Sequence, residues 1–150
     1  MEQETRNLIE ALVRQVITEK FMPSKSIDSS GIIKINLPVV NVGEEDRLNT
    51  GNAADVVYTK DLVSLKESPR LGCGLMVMEK TTFDWTLNYD EIDYVIEGTL
   101  SIIIDGRTVT AGPGEIIFIP KGSTIKFSVP EKARFMYVTY PADWQSQATE

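Results

Sequence analysis

Glu91 and Asp93, two carboxylates two residues apart in a strand-like stretch, have types and spacing suited to acid–base chemistry. They lie in WTLNYDEIDYVIEG, residues 85–98, which passes from an aromatic through the polar cluster Asn88-Tyr89-Asp90-Glu91 and stops at a glycine. Ile92 to Ile96 is rich in β-branched and aromatic residues and predicts a strand. At a period of two, Glu91, Asp93, Val95 and Glu97 share one face, and Ile92, Tyr94 and Ile96 share the other. If the acidic face closes over an apolar cavity, repulsion between the two acids raises one pKa. That leaves a group able to exchange protons near neutral pH. The structural alternative is that both acids bond Tyr, Thr or backbone groups and only orient the sheet. Buried acids are rare without a reason, which favours the functional role.

Composition removes several classes of function. The 150 residues carry 15 Lys and Arg against 22 Asp and Glu, a net charge of −7. Nucleic acid needs a basic face and none is visible, so it is excluded as a partner, and an anionic membrane surface with it. No apolar run approaches the roughly 18 residues of a spanning helix, and no signal-peptide pattern opens the chain. The single cysteine, Cys73, cannot form an internal disulfide, which fits a reducing cytosol. Set between two glycines in an apolar strand, it reads as a buried structural thiol. Histidine is absent. This excludes Ser-His-Asp and Cys-His triads and any metal site built on imidazole.

The elements that must position the acid pair are mostly short strands. Glu4 to Phe21 comes first and predicts an amphipathic helix, with Leu8, Ile9, Leu12, Val13, Val16 and Ile17 in one stripe. Pro23 forbids its continuation, and residues 22–30 have the composition of a linker. GIIKINLPVVNV, residues 31–42, reads as a β segment with Pro38 at an edge or break. Residues 43–55 read as an acidic, mobile loop. Strands are expected at 56–58, 62–65, 72–78, 94–96, 100–104, 115–119, 124–129 and 135–140. Asp105-Gly106 predicts a two-residue hairpin turn, while 111–114, 120–123 and 129–132 predict other turns. The tail from Trp144 to Glu150 is expected to fray. Many short strands without alternating helices predict an all-β sandwich or closed barrel as a single domain.

With turns and strands placed, the chain resembles the cupins, small double-sheet jelly rolls. A first cupin motif has a His-X-His pair before a Glu that is followed after six residues by Gly, and Glu91 and Gly98 match it. The second has Gly, five residues, Pro-X-Gly, then His three positions on, and Gly114, Pro120 and Gly122 match. The resemblance puts the three histidine positions at Asp84, Thr86 and Ile125, so only Asp84 and Glu91 keep an oxygen ligand. It therefore implies a cupin-type jelly-roll barrel, residues 31–150, behind an N-terminal helix (1–21) and linker (22–30), with no tightly bound metal or cofactor. WTLNYDEID, the VIEG turn, FIPKGS followed by Ile-x-Phe, and RFMYVTYPADWQS resemble, more narrowly, the ethanolamine-utilisation EutQ family. That resemblance implies a cytoplasmic bacterial microcompartment, partners among its shell or enzymes, and an acetate kinase activity using acetate, ATP and Mg²⁺.

The cupin resemblance implies that the Glu91 face looks into the barrel. Asp84, Thr86, Glu91 and Asp93 would then form an acidic pocket with Asn88 and Tyr89 at its edge, and Trp85 and Tyr94 near enough to stack on a ligand. Phosphoryl transfer meets an objection: the chain has no G-x-x-x-x-G-K-[ST] loop, and acids repel phosphates. A kinase would need Mg²⁺ on Asp84, Glu91 or Asp93, bridging to the nucleotide. Lys121 and Ser123, in the PKGS turn, are the nearest candidate phosphate contacts, and Lys126 and Arg134 are more readily surface charges. The alternative is a non-catalytic ligand-binding or assembly module with a vestigial pocket. A ligand-sized cavity of about 300 Å³ or more favours the enzyme, and a filled interior the module. A homodimer is expected through sheet edges, with residues 31–42 as a candidate donor edge. The helix stripe is expected either to target a shell or to cover the barrel or the dimer seam.

Overall fold

The N-terminal apolar stripe and its acidic first turn, Glu2 and Glu4, form helix α1, Glu2–Phe21, in the computed structural model, which describes residues 1–21 and 23–147. Leu8, Ile9, Leu12, Val13, Val16 and Ile17 are 47–61% exposed. The stretch with linker composition begins at Met22, outside the described residues, but contains a strand. β1 (Lys25–Ile27) pairs antiparallel with β2 (Ile33–Ile35) around a turn that Asp28 organises. Its carboxylate accepts the Ser30 N–H at 2.8 Å and its carbonyl accepts Gly31 N–H at 2.9 Å. Asp-Ser-Ser-Gly reads as flexible by composition, yet such side-chain-to-backbone bonds close a hairpin. Pro38 then ends the β conformation in a 3₁₀ turn, Leu37–Val39. These elements form one compact unit, Met1–Asn41, and Val42–Glu150 forms the other.

In the second unit seven antiparallel strands make a jelly roll: β3 (Val56–Asp61), β4 (Gly72–Thr86), β5 (Asp90–Gly98), β6 (Leu100–Ile104), β7 (Arg107–Ala111), β8 (Ile116–Ile119) and β9 (Thr124–Tyr140). Two long strands, β4 and β9, run from one half of the roll into the other. Residues 72–79 of β4 and 132–140 of β9 sit in the order β3-β4-β9-β5-β8. Their other halves pair on into β6 and β7. The fold line is a bulge where pairing slips between Glu79 and Thr81, with Lys80 at φ 45°. Thr81 holds it, accepting Val56 N–H at 2.9 Å and donating to the Glu79 carbonyl at 2.8 Å.

Opposite this bulge lie Val129-Pro130-Glu131-Lys132, expected as a turn and found within strand β9. Proline lacks a donor, and a bulge is where a ladder tolerates that loss. Residues 62–65, expected as a strand, leave the sheet instead. Ser64 N–H donates to Glu67 Oε1 at 2.7 Å and Glu67 N–H to Ser64 Oγ at 3.1 Å, a local turn that competes with pairing. Asp105 and Gly106 sit at φ 49° and 75°, the left-handed pair that a tight hairpin between β6 and β7 requires. Val57, Met78, Leu100, Val129 and Phe135 fill the core. No helix among the described residues is long and apolar enough to cross a membrane.

Candidate functional site

Strand β5 delivers the acid pair inward, as its alternation requires. Glu91 and Asp93 are 6% and 0% exposed, whereas Ile92 and Tyr94 between and beyond them are 42% and 38% exposed. Glu91 lies in register between Ile119 on β8 and Thr139 on β9, and Asp93 between Ile117 and Tyr137. The next strand supplies glycines at the facing positions: Gly72 pairs with Thr139, and Gly74 with Tyr137. A Cβ on Gly74 would land on the Tyr137 ring. That missing side chain lets the tyrosine lie across β4, where its hydroxyl donates to Asp61 Oδ1 on β3 at 2.8 Å. The Gly-Cys-Gly motif is thus a spacing device. Cys73 between the glycines is half-buried, and burial, then the Asp61 charge, pushes its thiol pKa up.

Aromatics close the space in front of Glu91. Trp85 donates its indole N–H to the Tyr89 hydroxyl oxygen at 2.7 Å. Trp144, on the short helix α2 (Trp144–Gln147), is 6% exposed and plugs the opening. Its ring lies 6.0, 5.9 and 6.1 Å from those of Trp85, Tyr89 and Tyr137. The expected fraying therefore fails for Trp144, because burying an indole outweighs the entropy of ordering a short tail; residues 148–150 lie outside the described residues. Leu48 forms another wall. It comes from the loop expected to be mobile, which Arg47 ties together by donating to the carbonyls of Asp55 at 2.7 Å and Ala53 at 3.3 Å. What remains is a cup of about 20 Å³ lined by Trp85, Tyr89, Glu91, Tyr137 and Trp144 among others. That is room for about one water or one small head group.

The acids have no compensating donors. Among the described residues Glu91 Oε2, both Asp93 carboxyl oxygens and Thr139 Oγ1 are buried with no hydrogen-bond partner. Burial raises both carboxyl pKa values, and the Glu91 charge raises Asp93 further. Asp93 is the member that keeps its proton, and burial pushes Glu91 up to about 7 while its neighbour Asp93 tempers the rise. The Tyr89 and Tyr137 hydroxyls are pushed far above their ordinary value, first by burial and then by the charges of Glu91 and Asp61 respectively, and stay protonated.

Not every residue expected at the pocket is there. Asp84 and Thr86 point outward, in correction of the pocket expected from the sequence. The Asp84 side chain is 79% exposed and accepts from Lys126 Nζ at 2.6 Å, and the Thr86 hydroxyl lies 3.2 Å from that of Thr124. A one-residue phase error inverts a strand, and Phe83 and Trp85 are the inward residues of this part of β4. Ile125 does face inward, as a buried apolar residue. Tyr94 is on the outer face and cannot stack in the cup. Asn88 sits half-buried in the β4–β5 turn. The PKGS turn packs against that turn by backbone bonds, Gly122 N–H to the Leu87 carbonyl at 2.7 Å and Leu87 N–H to the Ser123 carbonyl at 2.9 Å. Lys121 N–H donates to Asp90 Oδ1 at 2.7 Å, and the Ser123 hydroxyl is committed to the Pro120 carbonyl at 2.7 Å. Trp144, Tyr137 and Thr139 are the site residues the sequence reading missed. Among the described residues no three of His, Cys, Asp or Glu gather to hold a metal ion.

A double-sheet jelly roll with polar residues aimed inward from β5 has the fold of a cupin. Likeness to the Schizosaccharomyces pombe Cnp3 cupin domain, at 14% identity and a TM-score of 0.52 over 73% of this chain and 77% of that one, is likeness of fold alone. The chain belongs to the EutQ family: the model for "Ethanolamine utilisation protein EutQ" matches residues 4–146. It is 68% identical over 149 residues to the Clostridioides difficile (strain 630) protein named acetate kinase EutQ, covering 95% of each chain. The Salmonella typhimurium protein of the same name is 39% identical over 151 residues, covering 95% of this chain and 64% of that one. The solved structure of the Clostridium difficile EutQ protein matches at 72% identity and a TM-score of 0.81, covering 82% of this chain and 90% of that one.

Proposed function

We propose that this chain is an acetate kinase of ethanolamine utilisation, transferring the γ-phosphoryl group of Mg-ATP to acetate, with the Glu91–Asp93 cup at its centre. The support is the 68% identity, over 95% of both chains, to a protein named for that activity. Acetate is already ionised at neutral pH, so its oxygen can attack the γ-phosphorus without a general base. An O–P bond forms, the bond from the γ-phosphorus to the β,γ-bridging oxygen breaks, and ADP leaves. The work left to the protein is positioning and charge screening. Mg²⁺ would arrive with the nucleotide and take a carboxylate besides phosphate oxygens, a role open to Glu91, the member of the pair that lines the cup. A cup of about 20 Å³ does not admit a nucleotide. The phosphates therefore approach from the mouth with Trp144 swung aside, and Lys121 is the nearest cation of the PKGS turn.

The enzyme would work in the cytoplasm within a bacterial microcompartment, as a homodimer, with α1 offering its exposed stripe to a shell or enzyme partner. The second reading, a non-catalytic ligand-binding or assembly module, is favoured by the same small cup, which Trp144 fills. Incubating the purified chain with ATP, Mg²⁺ and acetate, and measuring ADP and acetyl phosphate, separates the two. Acetate-dependent ADP release is expected. No turnover, together with no heat on titrating Mg-ATP, would leave the module.

A further inference from the structure

We propose that the cup is a cation site that takes the head group of a small primary ammonium ion, with Glu91 as counter-charge and Trp85, Tyr89, Tyr137 and Trp144 as walls. The proposal rests on the cup being the ligand site, as above, and not on phosphoryl transfer. The polar groups at this site lack partners: among the described residues Glu91 Oε2, both Asp93 carboxyl oxygens and the Thr139 hydroxyl are buried with no hydrogen bond. Glu91 is 94% buried by its 6% exposure and lines the cavity. No Lys or Arg is among the lining residues, so the chain brings no charge of its own to the carboxylate.

The walls select among candidates. An anion would set a second negative charge against the Glu91 carboxylate, with no Lys or Arg in the lining to offset it. A water offers two donors and no charge, leaving a buried carboxylate uncompensated. A bare divalent metal needs a shell of oxygen ligands that aromatic rings do not provide. An ammonium head carries three N–H donors and a positive charge, and indole and phenol faces attract it through their quadrupoles. The volume of about 20 Å³ admits a single head group and excludes a trimethylammonium. The rest of the ligand must leave past Leu48 and Trp144, which limits it to a short arm. Methylammonium, ethylammonium and ethanolamine are the class.

The chain contains two tryptophans, and both line the cup, so intrinsic fluorescence reports on this site. The purified full chain, without nucleotide, is titrated with ethylammonium chloride and ethanolamine hydrochloride at constant ionic strength. Ethanol, sodium acetate and tetramethylammonium chloride serve as comparisons. A saturable change with both primary ammonium ions and with none of the comparisons is expected, with affinity at least about tenfold weaker in Glu91→Gln. Absence of saturation with either ammonium ion, an equal response to acetate, or unchanged affinity in Glu91→Gln overturns the proposal. The wild-type series decides the matter by itself if the variant misfolds. Ammonium binding without kinase turnover would remove only the nucleotide reading, and turnover without ammonium binding only this one.

Discussion

Replacing Glu91 by Gln keeps the shape of the side chain and deletes one buried ionisation, so its effect on stability must depend on pH. Folding raises the Glu91 pKa from an ordinary 4.5 to about 7, with burial as the main cause. A carboxyl whose folded pKa is raised is fully stabilising below its unfolded pKa, and that contribution is lost as pH rises through the folded one. The window is therefore about pH 4.5 to 7. A rise of this size, at about 1.4 kcal/mol per pKa unit, costs the folded wild type about 3 kcal/mol above pH 7. Glu91→Gln escapes that cost and also removes the charge that raises Asp93. The variant should match the wild type near pH 4.5 and exceed it at pH 8 by roughly 6 to 12 °C in Tm for a domain of this size. Calorimetric melts of both proteins at half-unit steps between pH 4.5 and 8.5 measure the difference. A Tm gap that does not change with pH, or a variant less stable than wild type at pH 8, would instead make Glu91 a structural anchor.

Gly74→Ala puts a methyl group on the buried Tyr137 ring; overpacking of this kind costs about 1–3 kcal/mol, read as a lower urea midpoint. Trp144→Ala removes the plug and should cost about 3–5 kcal/mol, while acrylamide quenching of the remaining Trp85 increases; unchanged quenching would mean that Trp144 does not close the cup. The outer face of β5 and β8 exposes Ile92 (42%), Tyr94 (38%), Ile116 (63%) and Phe118 (59%) in register. We propose this face, besides residues 31–42, as a surface for a second copy. Phe118→Asp should convert a dimer to a monomer by light scattering with the barrel still folded, and a monomeric wild type would contradict it.

Strand alternation made much of this molecule legible from sequence. Glu91 and Asp93 inside with Ile92 and Tyr94 outside follows from period two alone, and Asp105-Gly106 announces its hairpin by the conformation it needs. Phase was the weak point. Counting from a motif, not from the pattern Phe83-x-Trp85-x-Leu87, put Asp84 and Thr86 in the pocket, and one residue of slip reverses a whole strand. Two kinds of feature were not legible. Pro130 looks like a turn until the bulge at Glu79 to Thr81 provides a place where its missing N–H costs nothing. Trp144 is adjacent to the site only through tertiary packing, which no local pattern encodes. The glycines at 72 and 74 did carry a signal, since two at period two on one strand face mark a place where side chains from the next strand cross.

If the buried acid pair is where the chemistry occurs, removing its ionisable group must remove turnover. Acetyl phosphate formation from ATP and acetate, followed side by side in wild type and Glu91→Gln at pH 8, where the Glu91 carboxylate and acetate are both ionised, addresses this directly. Wild type is expected to turn over, and Glu91→Gln to lose at least about a hundredfold in kcat/KM while its melting curve remains cooperative. Full turnover by Glu91→Gln would contradict the assignment and move the active site out of the barrel.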